Sequence, residues 1–213
     1  MLKIHPVVSM PFSENSYVVW QDGRTDAVVV DPGLEPELIL EFLDSKGLTL
    51  KAILNTHGHA DHIAGNEAMK KASPDAPLMI GRGDAIMLSD PAANLSLSYG
   101  FSITSPPADR LLDEGEVVSL AGIDFEVVDI PGHSPGHVVF IVRESPIQVL
   151  GGDVLFRGSI GRTDLPGGSF EQLASGIRKK LYTLPDNTVV HSGHGPHTTT
   201  GVEKRTNPFV SVG

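Results

Sequence analysis

The segment NTHGHADHIAGN, residues 55–66, constrains this chain more than any other. Three histidines and an aspartate fall within six positions, His57 to His62, directly after the apolar run AILN (52–55). A core segment has no use for so many titratable side chains side by side. His57 and His59 are spaced i, i+2, which on an extended chain puts both rings on one side. That spacing differs from the i, i+4 pair of a helical zinc motif. Asp61 and His62 follow where the chain turns into a helix, so the second pair is aimed at a neighbouring point. One short loop could thereby feed two adjacent metal positions. A lone histidine is usually a surface residue or a hydrogen-bonded core residue, but four ligand-type residues in H-x-H-x-D-H order are poorly explained that way.

Two coordination shells need more ligands, and the ends of later apolar runs offer them. DIPGHSPGH (129–137) places His133 after a Pro-Gly turn, VLGGDVLF (149–156) places Asp153 just beyond a strand, and VVHSGHGPH (189–197) places His194 between two glycines. Any one of these alone reads as structural. Their shared setting, a strand end followed by a glycine turn, is what convergence on one face of a layered sheet requires. The chain has no cysteine, so any metal is held by histidine and carboxylate. His5 and His197 read as surface residues and His191 as structural. His137 reads as a hydrogen-bonding partner of the ligand set, because metal-bound side chains need orienting neighbours. Asp31, in VVDPG, is either a turn residue or such a partner.

Short segments rich in valine and isoleucine, bounded by Gly, Pro or Asp, predict strands at 2–8, 16–20, 27–30, 52–55, 77–80, 123–130, 137–142, 147–150 and 188–190. Helices are predicted at 35–46, 62–72, 169–183 and 198–205. Strands first, with helices after them in each half, suggests packed sheets with helices outside rather than one doubly wound sheet. The uncharged stretch 91–108 alternates apolar residues at 95, 97, 99, 101 and 103. It reads equally as an amphipathic edge strand or as an apolar flap beside a site.

Composition narrows the partners. The net charge is −10 and the basic residues are scattered, without the basic stripe that phosphate backbones require. No nucleic acid and no membrane partner is expected. No apolar run approaches the roughly 18–20 residues of a membrane span, and the first residues do not look like a secretory signal, so a cytoplasmic location is the default. The 213 residues are taken as one domain, 1–213; the oligomeric state is open.

THGHADH, PGHSPGH, GGDVLF and SGHGP occur in the order and approximate spacing of the metallo-β-lactamase-fold hydrolases. The match runs from ENSYVV and VVDPG near the start to GHGPHTTTGVEKRTNPF near the end. Within that superfamily the chain most resembles the small glyoxalase II-like (hydroxyacylglutathione hydrolase-like) proteins. The resemblance implies an α/β fold of the α+β kind, a four-layer αβ/βα sandwich of two mixed sheets with helices on the outer faces. By position it assigns His57, His59 and His133 to a first metal, Asp61, His62 and His194 to a second, and Asp153 as the bridge. It implies two divalent ions, zinc first, with iron or manganese tolerated. A hydroxide bridging the ions, with Asp61 placed to assist it, would attack the carbonyl of a small-molecule acyl thioester, in glyoxalase II a hydroxyacyl-glutathione.

Departures from the glyoxalase II pattern bear on substrate. No counterpart of the helical extension that supplies much of the glutathione pocket in full-length glyoxalase II is expected. The loop after the bridging aspartate reads GRTD (161–164), where glyoxalase II has a lysine and a tyrosine. Arg162 keeps a cation that could hold a carboxylate, unless it simply pairs with Asp164. Persulfide dioxygenases also carry a G-R-T-D loop and bind one iron through residues matching His57, His133 and Asp153, which makes them the alternative reading. The intact SGHGP segment argues for the hydrolase. Lactonases of this fold have a tyrosine where Phe156 stands, and tRNA-processing nucleases need a basic surface this chain lacks.

Overall fold

In a computed structural model, described over residues 1–212, the strands form two six-stranded mixed sheets. The first sheet runs in chain order through β1 (Leu2–Ser9), β2 (Glu14–Gln21), β3 (Asp26–Val30), β4 (Thr49–Asn55), β5 (Leu78–Gly81) and β6 (Arg110–Leu112). The β1–β2 and β2–β3 pairs are antiparallel, and β3 to β6 are parallel. The second sheet is built from β7 (Val117–Leu120), β8 (Ile123–Asp129), β9 (Val138–Val142), β10 (Gln148–Gly152), β13 (Val189–Ser192) and β14 (Thr198–Thr199), in the order β14-β13-β10-β9-β8-β7. Only β10 and β13 are parallel in it. A small hairpin of β11 (Leu155–Phe156) and β12 (Ser159–Ile160) follows β10.

Alternation along the strands divides the interior into three apolar layers. Val28 and Val30 of β3 face the second sheet with Phe125, Val127 and Phe140, while Ala27 and Val29 face outward. Phe125 and Phe140 meet edge to face at 6.4 Å, the preferred aromatic arrangement. The outward face of the first sheet is covered by α1 (Pro36–Ser45), α2 (Ala60–Ile63) and α3 (Asn66–Ala72) through Ile39, Leu43, Ile63 and Met69. The outward face of the second is covered by α4 (Phe170–Gly176) and the π-helical turn Ile177–Leu181, through Leu173, Ile177 and Leu181. A last helix, α5, spans Thr200–Thr206. The molecule is thus the four-layer sandwich that the sequence implied.

Local sequence explains the element ends. In α1, Pro36 supplies a preset φ at the start, Ile39 and Leu43 share the buried face at i, i+4, and Gly47 (φ +63) closes the helix. The predicted helix 62–72 is broken into α2 and α3, with Gly65 packed against the Pro32 backbone between them. Residues 91–108 form no strand. Leu95 and Gly100 adopt left-handed φ on either side of a 3-10 turn, Ser96–Tyr99, so the alternation there belongs to an irregular flap. The short edge strands β6 and β7 were not foreseen, because three- and four-residue strands carry too few residues for a clear period. Among the described residues no helix is long and apolar enough to cross a membrane.

Candidate metal centre

The parallel strand pairs place their carboxyl ends on one rim, and the ligand-type residues lie there. Asp31 follows β3, His57 follows β4, Asp153 follows β10 and His194 follows β13; His133 comes from the β8–β9 connection. The structure brings two trios together. One nitrogen from each of His57, His59 and His133 lies within 4.8 Å of the others, and so do ligand atoms of Asp61, His62 and His194. Asp153 stands between them. Its Oδ2 is 3.5 Å from Nε2 of both His133 and His194, and its Oδ1 is 3.5 Å from His62 Nε2.

Hydrogen bonds on the far side of the rings set which nitrogen faces inward. Thr56 donates its hydroxyl to Asp31 Oδ2 at 2.6 Å and its amide to Oδ1 at 2.7 Å. The Thr56 oxygen is then free to accept from His57 Nδ1 at 3.1 Å. Likewise, His62 Nδ1 donates to Asp31 Oδ2 (3.1 Å), His133 Nδ1 to the Arg162 carbonyl (2.9 Å) and His194 Nδ1 to the Phe12 carbonyl (3.1 Å). With Nδ1 taken up by an oxygen partner in all four rings, each Nε2 faces the centre, the orientation a metal requires. His59 turns Nδ1 instead, 2.9 Å from His133 Nε2. Both oxygens of Asp31 are committed to these outer bonds, so Asp31 orients ligands although it lies close enough to His57 and His62 to group with them. His137 stacks on His57 at 4.7 Å and accepts the Asp153 amide at 3.0 Å.

A divalent cation fits this donor set. His57 Nε2, His62 Nε2 and Asp153 Oδ1 are buried and have no hydrogen-bond partner among the described residues, a condition that costs about 1–3 kcal/mol per group if nothing binds there. The electrostatics divide the centre in two. Burial and the neighbouring rings push the His57 imidazole well below its ordinary value and His59 down to about 3. Burial opposes charge on His62 as well, but Asp61, Asp153 and Asp31 around it raise its pKa. Burial would raise Asp61, yet His62 and His194 hold its carboxyl below the usual range. One trio is made of imidazoles alone, and the other includes the Asp61 carboxylate.

Several supporting residues were missed by sequence reasoning. Asp84, fully buried, accepts from the Gly58 amide (3.1 Å), the Ser134 hydroxyl (2.6 Å) and the Gly136 amide (2.6 Å), so it ties the His57 loop to the His133 loop. Burial raises its pKa against the lowering effect of those three bonds. The start of β2 clamps the His194 loop: Asn15 Nδ2 donates to the Ser192 and Gly195 carbonyls at 2.9 and 2.7 Å, and the Tyr17 hydroxyl to Ser192 at 2.7 Å. Glu14, also buried, lies 3.9 Å from His62 Nδ1, and burial raises its pKa well above the ordinary value. The signal available was ENSY itself, a polar opening to a strand that is buried throughout its first four residues. Gly193 has a steric reason. A Cβ there would stand 2.3 Å from Asp153 Oδ1 and 2.7 Å from His62 Cε1.

Above the centre opens a cleft of about 350 Å³, walled by Phe12, Tyr99, Phe101, Ile103, Phe156 and Leu165 and floored by His59, Asp61, His133, Asp153 and His194. Arg162 lines it too, but its guanidinium makes two 2.8 Å bonds to Asp164, the simple pairing that the sequence allowed.

The Metallo-beta-lactamase superfamily profile matches residues 10–194, a span that includes all seven candidate ligands. The chain belongs to the metallo-β-lactamase superfamily. Among its relatives in that superfamily, hydroxyacylglutathione hydrolase GloC of Haemophilus influenzae is 38% identical over 214 residues, covering 99% of this chain and 98% of that protein. The crystal structure of BLEG-1 B3 metallo-β-lactamase superposes with a TM-score of 0.93 at 39% identity over the full length of both chains. TTHA1623, solved in a di-iron-bound form, superposes at 0.84 with 42% identity, covering 96% of this chain and 99% of that one. A metallo-hydrolase of this superfamily is the description these likenesses support.

Proposed function

We propose that the protein is a binuclear metallohydrolase acting on the carbonyl of a small-molecule acyl thioester. The carrying observation is Asp153, one carboxylate oxygen of which lies 3.5 Å from a ring nitrogen of each trio. In this reading His57, His59 and His133 would hold one divalent ion and Asp61, His62 and His194 the other, with the Asp153 carboxylate within reach of both trios. Zinc suits this set, and iron is the second candidate because a 42%-identical neighbour is solved in a di-iron form. When bound, such a pair lowers the pKa of a water toward neutrality and polarises a carbonyl oxygen.

The chain's own residues prepare the rest. Thr56, Asp31, Arg162 and Phe12 fix ring orientation through the bonds given above, so little reorganisation is needed when substrate arrives. Asp61, one-fifth exposed at the cleft floor, would bring negative charge to the second ion and could orient an attacking water by accepting its hydrogen bond. The thioester as substrate class is supported by GloC, named as a hydroxyacylglutathione hydrolase. BLEG-1, named as a β-lactamase, suggests that another strained or activated acyl carbon could also serve. The competing reading, a mononuclear iron dioxygenase using His57, His133 and Asp153, draws on the GRTD loop. It leaves the Asp61, His62 and His194 trio without a task.

Metal analysis of purified protein separates the two, with thioester hydrolysis and persulfide-dependent oxygen uptake measured side by side. Two metals per chain with thioester cleavage is the expected result. One iron per chain with oxygen uptake would overturn the proposal.

A further inference from the structure

The cleft above the candidate centre is shaped by a segment that hydrolysis itself does not need. Residues 94–103 are anchored from below: Asn94 Nδ2 donates to the Met87 and Ile103 carbonyls at 3.0 and 2.9 Å, and Ser96 Oγ accepts the Ile103 amide at 3.1 Å. The Asn94 carbonyl accepts the amide of Ala60, inside the ligand loop, at 3.0 Å. On this pinned base Leu97, Tyr99 and Phe101 are held with about half their surface exposed. Tyr99 meets Phe12 edge to face at 5.3 Å, joining the flap to the β1–β2 turn. Large apolar side chains kept exposed on an anchored loop, in continuity with a reaction centre, mark a binding wall.

Charge points the same way. Arg162 is the one guanidinium or ammonium among the described residues lining the cleft, and Asp164 already engages two of its three nitrogens, Nε and Nη2. Asp61 and Asp153 lie on the floor. Both are candidate metal ligands, so their charge is engaged in the centre; on the wall itself an arm bearing carboxylates would meet one cation, Arg162, already paired with Asp164. Size decides how much of a substrate can enter, because about 350 Å³ lies at the small end of the roughly 300–1,000 Å³ of ligand sites. One medium aliphatic chain or one aryl ring fits within it, and a carrier would extend outward through the open mouth.

We propose that Phe12, Tyr99, Phe101 and Ile103 form a subsite for an uncharged, apolar acyl arm, so that the preferred substrates are thioesters of hydrophobic acids. This rests on the acyl-hydrolase reading and specifies its substrate. The pairing of Arg162 with Asp164 is the specificity device: it silences the cation that would otherwise recruit an anionic arm.

The test uses hydrolytically inert thioethers of N-acetylcysteamine, titrated calorimetrically into the metal-loaded protein. The probes carry methyl, octyl and 7-carboxyheptyl arms. Octyl is expected to bind about thirtyfold tighter than methyl, from the apolar surface it buries. The Tyr99→Ala/Phe101→Ala double variant is expected to lose most of that gain, and both sites are exposed enough for folding to survive. Asp164→Asn should leave octyl binding unchanged and strengthen 7-carboxyheptyl binding severalfold. Equal affinity for methyl and octyl, an octyl gain that survives the double variant, or sedimentation as a dimer that the double variant dissociates would each overturn the subsite. The two proposals fail differently. Octyl selectivity without turnover of any thioester supports the subsite and sinks the hydrolase, whereas thioester turnover indifferent to acyl length sinks the subsite alone.

Discussion

The centre and the mouth of the same cleft are built on opposite principles. In the centre, His57, His62 and His137 are fully buried, and His57, His62, His133 and His194 each have the outward nitrogen bonded to a named oxygen. At the mouth, Tyr99 and Phe101 are half exposed, and the charged pair, Arg162 and Asp164, sits in solvent. The centre spends its hydrogen bonds on fixing geometry, which decides what chemistry can occur. The mouth leaves apolar surface unsatisfied, which decides what can bind. If the two are separable in this way, substitutions in the centre should change metal content and leave apolar affinity alone, and substitutions at the mouth should do the reverse.

The hardest test of the centre is Asp153→Ala. One carboxylate lies within 3.5 Å of ring nitrogens from both trios, so its removal is expected to weaken both metals together. The loss should exceed the 10- to 100-fold in affinity that is usual for an outer partner, about 100-fold or more, and hydrolysis should fall to background. Metal content after gel filtration checks this; retention of one ion at full occupancy would show that the trios are independent. Asp61→Ala, by contrast, should empty the second site more than the first, because Asp61 lies 3.4 Å from His194 Nε2 and 3.8 Å from His62 Nε2. Equal loss of both metals, or of neither, would break the division into two trios.

Outer partners should have smaller effects. Asp31→Asn keeps the size but removes the anion that accepts from His62 Nδ1 and from Thr56 twice. Metal affinity is expected to fall about 10- to 100-fold, chiefly where His62 binds, and competition with a chromophoric chelator would measure it. Asp84→Ala acts through the fold instead. It strands the Gly58 and Gly136 amides and the Ser134 hydroxyl, which should cost about 1–3 kcal/mol for each group left without a partner in urea unfolding of the metal-free protein. A variant as stable as the parent would mean that the two ligand loops hold themselves without this tie.

How much of this was legible beforehand follows from which side chains announce themselves. The seven candidate ligands stood out because histidine and aspartate at strand ends beside glycine have little structural purpose, and the structure gathers all seven on one rim. The sheets were legible because valine and isoleucine run together in β3, β9 and β13, and a short apolar run, AIL, marks β4. Thr56, Asp84 and Asn15 were not, because a threonine, an aspartate or an asparagine in a loop looks the same in sequence whether it is solvated or orients a ligand. Only long-range contact distinguishes them: Asp84 reaches residues 26 and 50 positions away in the sequence, and Asn15 reaches 177. The flap was half legible. Its apolar alternation was visible, but the left-handed φ at Leu95 that turns it from a strand into a loop has no signal in leucine, a residue that rarely adopts it.

The smallest expected effect is the one that separates backbone from side chain at Arg162. The Arg162 carbonyl holds His133 Nδ1 at 2.9 Å, and so belongs to the centre; the guanidinium, bonded to Asp164 in solvent, belongs to the mouth. Arg162→Ala removes the second without touching the first. Exposed ion pairs contribute little to stability, and alanine can keep the same backbone path, so metal content and the unfolding midpoint should match the parent. The change should appear only in binding, as a loss of the gain that Asp164→Asn gives to a carboxylate-bearing arm when the two substitutions are combined. If Arg162→Ala instead lowers metal content, the guanidinium pair is what positions the loop carrying that carbonyl, and centre and mouth are coupled through residue 162.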